Sequence, residues 1–232
     1  MLRVLVLTTD KYLWALRPFA HMMRVYWSEL QPTIVGGFAR PGFELPKSFQ
    51  FHQISPSEYP VDKWSNALIK FLNEIPDEHF VMFMEDFWLN RTVDSRGIQT
   101  LYEYMQGNPD ILRIDLTMDR LYAGGMHSFD TWGHYDLITA PGSPYQLSFQ
   151  TGIWNKRRLL EVLKPDWSPW DVEIHGTSVV NEERKDLIVL GTRQNPVSYA
   201  NVIDKGKWNK SQFETIDPLH RQLIISQGWV RA

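Results

Sequence analysis

The sequence predicts a single α/β domain in which a mostly parallel central sheet is flanked by helices and long loops. Three observations carry this. Residues 2–7 and 80–84 are short, almost wholly apolar runs, the pattern of strands buried on both faces. Segments with apolar residues at helical spacing alternate with such runs, as crossover units require. The length of 232 residues suits one large domain of this kind as well as two small ones.

Composition narrows the function. With 43% hydrophobic and 22% charged residues the chain is not disordered as a whole. It carries no apolar run of the roughly 18 to 20 residues that cross a bilayer and no signal-peptide pattern, so a soluble cytoplasmic protein is expected. The absence of cysteine excludes disulfides, thiolate metal sites and cysteine nucleophiles together. Any metal is held by oxygen or imidazole. The 24 basic and 27 acidic residues give a net charge of −3, which argues against a broad cationic surface for nucleic acid and leaves room only for a local groove. The chain is rich in aromatics, with 10 Trp, 9 Tyr and 12 Phe. Several lie in polar loops, where flat rings suit sugars and bases as well as packing.

The elements follow in order. The strand at 2–7 ends in Thr8-Thr9-Asp10, a helix is expected over 13–30, and a short strand at 33–35 closes at Gly36-Gly37. Residues 49–54 form a candidate third strand. Trp64, Leu68, Phe71, Leu72 and Ile75 fall at helical spacing and stop at Pro76. The apolar strand at 80–84 runs into Glu85-Asp86 and then Phe87-Trp88-Leu89. A helix bearing Ile98, Leu101, Tyr102 and Met105 precedes a strand at 111–116. Residues 117–144, rich in glycine and aromatics, read as long loops with room for a hairpin. A strand at 146–150, a helix at 156–163, a helix starting at Pro169, a strand at 187–190 and a polar, basic C-terminal segment complete the chain.

In open α/β sheets, ligands bind beyond the carboxyl ends of the strands. Glu85 and Asp86 occupy such an end, and two adjacent carboxylates suit a hard divalent cation as well as a solvated strand terminus. Thr8 and Asp10 lie at the end of the first strand, where a helix cap is the alternative. Ser168-Pro169 with Asp171 forms a capping-box helix start. Glu173 follows between Trp170 and Ile174, in partly apolar surroundings that raise a carboxyl pKa and favour general-base work; the alternative is a surface helix-stabilising glutamate. Lys205-Gly206-Lys207 can close on a phosphate or stand as a solvated turn. His220, His175, His127 and His134 show no HxH or HExxH spacing. Walker, GxGxxG and GxSxG motifs are missing from the sequence, so P-loop hydrolysis, ordinary dinucleotide chemistry and α/β-hydrolase chemistry are not expected.

Taken together, residues 81–89 (Val-Met-Phe-Met-Glu-Asp-Phe-Trp-Leu), 149–154 (Phe-Gln-Thr-Gly-Ile-Trp), the Lys156-Arg157-Arg158-Leu159-Leu160 that follows, and 167–173 (Trp-Ser-Pro-Trp-Asp-Val-Glu) resemble the small bacterial and phage members of the GT-A-fold nucleotide-diphospho-sugar glycosyltransferases. The resemblance spans residues 1 to about 210. It implies a nucleotide-binding half over 1–116 and an acceptor-binding half with a C-terminal flap over 117–232. By the same resemblance, Glu85 and Asp86 match the acidic motif that holds Mn²⁺ or Mg²⁺ on the donor diphosphate, although Glu-Asp-Phe stands where the family often has Asp-x-Asp. Thr8 and Asp10 match the edge that meets the nucleoside, Glu173 the base of inverting members, Lys205 and Lys207 the diphosphate flap, and His220 a further metal ligand. The implied activity is transfer of a sugar from a nucleotide-sugar to a glycan or to a hydroxymethylated pyrimidine in DNA. In the second case Trp132, Tyr135 and Tyr145 would stack a flipped base, and Arg157, Arg158, Arg184 and Lys185 would meet the backbone. The rival is a non-catalytic sugar- or nucleotide-binding or interaction module on the same fold.

Overall fold

The computed structural model describes residues 2–230. Its first strand, β1 (Arg3–Leu7), leads through a 3-10 turn at Asp10–Ala15 into α1 (Leu16–Tyr26), so the helix expected over 13–30 is shorter at both ends. Next come β2 (Thr33–Gly37), β3 (Phe49–Gln53), α2 (Trp64–Glu74), β4 (His79–Met84), β5 (Phe87–Leu89), α3 (Ser95–Gly107) and β6 (Ile111–Asp115). The 117–144 region forms a hairpin of β7 (His127–Trp132) and β8 (Tyr135–Thr139). Then follow β9 (Gly152–Asn155), α4 (Lys156–Val162), α5 (Pro169–Ser178), β10 (Ile188–Thr192), β11 (Tyr199–Asn201), β12 (Ile203–Asp204), β13 (Lys207–Trp208), α6 (Lys210–Phe213) and α7 (Pro218–Ser226).

Nine strands form one sheet in the order β3-β2-β1-β4-β9-β6-β10-β8-β7. The β1 pairings with β2 and β4, and those of β2 with β3 and β6 with β10, are parallel. β9 runs antiparallel between β4 and β6. Because strand side chains alternate, each central strand feeds two cores. Val4 and Val6 of β1 belong to one core with Leu16, Phe19 and Met23 of α1 and Ile98, Leu101 and Met105 of α3. Leu5 and Leu7 face the other way, toward Leu68 and Phe71 of α2, Leu159 of α4 and Val172 of α5. A strand with helices on both faces has no polar side, hence the continuous apolar runs.

The strand expected at 146–150 is not formed; the pairing falls on β9 instead. The reason is a buried arginine. Arg113 of β6 donates to the carbonyls of Ser148 and Gln150, taking up acceptors that a ladder would need. The Gln146 amide meanwhile donates to the Ala140 carbonyl and to Ser143 Oγ. The chain enters the sheet only at Gly152, where a Cβ would lie 3.0 Å from the Ile114 carbonyl.

Candidate active site

Register assembles the first part of the site. In the β1–β4 pairing Leu7 lies opposite Met84, so Thr8 and Glu85 leave the sheet side by side at its carboxyl edge. Both are buried. Burial drives the Glu85 carboxyl well above its ordinary pKa, the adjacent Asp86 charge adds to this, and hydrogen bonding from Thr8 and the Thr9 backbone offsets only part. Burial likewise pushes Asp86 up to about 7. Among the described residues neither carboxylate has an ion-pair partner. Asp10, just beyond Thr8, is tied to neighbouring loops: its Oδ1 accepts the Ala39 N–H at 2.9 Å, and its own N–H donates to Glu58 Oε2 at 3.3 Å.

The C-terminal segment is bound against this edge. β11 pairs antiparallel with β5, setting Asn201 opposite Phe87. The Val202 N–H donates to the Asp86 carbonyl at 3.0 Å. With its nitrogen inward, the Asn201 amide donates to Asp86 Oδ2 at 3.2 Å and to the Ile203 carbonyl at 2.8 Å. Beneath lies an aromatic cluster: Trp88, fully buried, donates its indole N–H to the Glu85 carbonyl at 3.0 Å and packs on Trp14, Trp208 and Phe213. Much of the aromatic load is spent on seating this segment. The β12–β13 turn is Lys205-Gly206, with φ of 49° and 77°, the paired positive φ of a two-residue hairpin. A Cβ at Gly206 would sit 3.2 Å from Tyr12 Oη and 3.4 Å from Lys11 Nζ. Lys205 and Lys207, both exposed, thus stand with Lys11 beside the chain that leaves β1.

Glu173 comes from α5, whose start is the expected capping box: Ser168 caps the Asp171 N–H, Asp171 returns to the Ser168 N–H, and Pro169 opens the helix. Its Oε1 accepts the Phe149 N–H at 2.8 Å, which fastens α5 to the 146–151 loop at the same sheet edge. Burial raises its pKa; the Phe149 bond and Arg113 lower it less, and Asp119 raises it further. Tyr199 joins the two parts. Burial raises its hydroxyl far above the ordinary value, with Asp119 and Asp86 both contributing, and the hydroxyl donates to Gln150 Oε1.

Sequence reading passed over the buried charges that support this edge. Arg113 and Arg120 both pair with Asp115, at the carboxyl end of β6. Arg120 also reaches Ser143, Gln146 and the Tyr145 carbonyl, and a side chain at Gly191 would collide with it. Arg113 and Asp115 alternate inside an otherwise apolar strand, and that was the available signal.

Other expected residues lie apart from these contacts. His220 is on α7, its Nδ1 3.2 Å from His21 Nε2 and its ring against Tyr26. His134 is paired with Asp94 and His175 with Asp171, and the His127 ring is bonded to the Gly125 carbonyl. Tyr135 is core, its hydroxyl donating to Asp94 at 2.7 Å, and so cannot stack a base. Trp132 packs on Tyr104 at the sheet's far edge. Arg157, Arg158 and Arg184 are already paired with Glu161, Asp110 and Asp186.

The fold has counterparts among solved structures. A UTP-bound UGPase from Acinetobacter baumannii superposes with a TM-score of 0.54 at 8% identity, over 98% of each chain. The chain has a GT-A-like fold. A CMP:2-keto-3-deoxy-manno-octonic acid synthetase complexed with CTP reaches 0.48 at 8% identity over 97% of this chain and 98% of its own. The galactosyltransferase LgtC, in complex with donor and acceptor sugar analogues, reaches 0.40 at 10% identity over 69% of this chain and 60% of its own. No protein-family model matches, and no curated protein matches by sequence. Among the described residues, no helix of this GT-A-like domain is long and apolar enough to cross a membrane.

Proposed function

We propose that the chain is a nucleotide-sugar-utilising enzyme, a glycosyltransferase acting with inversion on an acceptor hydroxyl. The observation that carries this reading is the Glu85–Asp86 pair: two largely buried carboxylates at the carboxyl end of β4, without a cationic partner among the described residues, next to Thr8 at the end of β1. Such a pair stays charged at neutral pH only if a cation joins it.

The donor set is oxygen, as Mg²⁺ and Mn²⁺ require. Among the described residues no group of three or more metal-ligating side chains converges, so Asp86 and Glu85 would supply the protein ligands, with diphosphate oxygens and water completing the shell. His220, facing His21, has no part in this proposal. A bound divalent cation would neutralise charge gathering on the departing diphosphate. Thr8 and Asp10 would border the nucleoside, and Lys205 and Lys207 would approach the diphosphate from the C-terminal hairpin. Glu173 would take the proton of the acceptor hydroxyl as its oxygen bonds the sugar's anomeric carbon. The bond from that carbon to the diphosphate breaks at the same time, and the nucleoside diphosphate leaves with the electron pair. In this reading residues 1–116 would bind the nucleotide, and 117–232 would supply the acceptor side together with the C-terminal flap over the diphosphate.

The test is calorimetry of UDP-glucose and other nucleotide-sugars with Mn²⁺ and with EDTA, on wild type and Asp86→Ala, together with mass-spectrometric detection of transfer. Binding that needs Mn²⁺ and is lost in Asp86→Ala supports the reading. Equal affinity in EDTA would sink the metal role, and binding without turnover would leave a module rather than an enzyme.

A further inference from the structure

Beside the buried Arg113–Asp115–Arg120 cluster the surface opens into a pocket of about 340 Å³, lined by Asp119, Arg120, Tyr122, Gly124, Pro144 and Tyr145. This is within the usual size of small-molecule sites. Its walls are unusual. Tyr122 is 78% exposed and Tyr145 56% exposed, two large rings left in water where packing gains nothing from them. Tyr145 also has φ of 57°, a left-handed conformation that non-glycine residues rarely adopt. The strain is held in place: Arg120 donates to the Tyr145 carbonyl, and Ser143 and Gln146 on either side bond the same guanidinium. A strained residue fixed by a buried cation, presenting its ring outward, is a feature of binding sites.

We propose that this pocket seats the acceptor and that the acceptor is a saccharide, its pyranose ring stacked against Tyr122 and Tyr145 with hydroxyls donating to the Asp119 carboxylate. The inference rests on the glycosyl-transfer reading and names its acceptor class. Position supports it: Arg120 on the pocket wall shares Asp115 with Arg113, and Arg113 holds the Ser148 and Gln150 carbonyls on either side of Phe149, whose N–H bonds the proposed base Glu173. Chemistry decides the class. The one arginine on the pocket wall is consumed by Asp115 and loop oxygens, leaving Asp119 as the polar group on offer. A carboxylate on the same pocket wall as two exposed rings accepts sugar hydroxyls and repels a phosphate backbone.

The experiment is saturation-transfer NMR with methyl β-glucoside, methyl β-galactoside and methyl N-acetyl-β-glucosaminide, and separately with a single-stranded oligonucleotide carrying 5-hydroxymethylcytosine. The samples are wild type, Tyr122→Ala and Tyr145→Asn, with UDP-glucose binding measured on each. Asparagine tolerates the left-handed backbone, so Tyr145→Asn removes the ring without unfolding the turn. Glycoside signal in wild type that falls at least several-fold in both variants, with UDP-glucose affinity unchanged, is the expected result. Absence of glycoside signal, signal untouched by both variants, or a response confined to the oligonucleotide overturns the saccharide subsite while leaving donor binding standing. Tyr122-dependent glycoside binding without nucleotide-sugar binding would instead keep the subsite and remove the transferase reading.

Discussion

The ring of Tyr199 lies parallel to that of Phe87, 10° apart in plane and 4.3 Å between centroids. The stack clamps β11 onto β5 at the point where the chain leaves the Glu85–Asp86 pair. The Tyr199 hydroxyl reaches the other way, to Gln150 in the loop that Glu173 fastens.

Tyr199→Phe keeps the stack and loses one partly buried hydrogen bond, leaving the Gln150 oxygen without this donor. A stability loss on the order of 1–2 kcal/mol is expected, whereas Tyr199→Ala, which also removes the ring, is expected to cost about 3–5 kcal/mol. Urea unfolding of the three proteins checks the order. Equal losses would mean that the stack contributes nothing.

The Arg113–Asp115–Arg120 cluster yields a second prediction. Asp115 is fully buried, and among the described residues its charge is met by the two arginines. Arg120→Met leaves part of that charge uncompensated, and a loss of about 3–5 kcal/mol is expected, as for other broken buried pairs. The double variant Arg120→Met with Asp115→Leu should lose more, because it leaves the fully buried Arg113 without its carboxylate. Denaturant midpoints measure both, and a silent single variant would show that Arg113 alone compensates Asp115.

Acid acts on the α1–α7 contact. Burial first, then the neighbouring His220 and Arg24, lowers the His21 pKa from 6.5 to about 4. Between those values the unfolded chain binds the proton and the folded one does not, so stability is intact above pH 6.5 and declines as pH falls toward 4. His21→Asn, neutral throughout, should flatten that part of the profile. Thermal unfolding from pH 7 to pH 4.5 reads the difference, and identical slopes would remove His21 from the acid response.

The strands were legible because burial on both faces leaves a continuous apolar run, as at β1 and β4. Thr8 with Glu85 was legible too, since a parallel pair sets residues following two strands side by side. What local pattern could not carry was long-range competition for hydrogen bonds. Residues 146–150 alternate like a strand, yet Arg113, more than thirty residues earlier, holds the Ser148 and Gln150 carbonyls. The same holds for Tyr135, which looks like a loop aromatic until its hydroxyl meets Asp94 forty-one residues away. His220 reads as a free imidazole until α7 lays it on His21.

Glu173 tests the proposed chemistry most directly, because its carboxylate has an observed structural use and a proposed chemical one. Its Oε1 accepts the Phe149 N–H at 2.8 Å, a bond that a glutamine oxygen can also accept. Glu173→Gln should therefore keep the fold and nucleotide-sugar binding, but its amide takes no proton. A positioned base contributes roughly 10²–10⁴ in rate, so transfer should fall by at least the lower end of that range, with KM for the donor little changed. Because burial raises the Glu173 pKa, the wild-type rate should fall on the acid side as that carboxyl is protonated, a limb absent from the residual rate of Glu173→Gln. Glu173→Ala separates the two uses: it should lose transfer to the same degree and, in addition, stability, as Phe149 is left without its acceptor. Normal transfer by Glu173→Gln would end the base assignment, and transfer lost only in Glu173→Ala would make the residue a bracket for the loop.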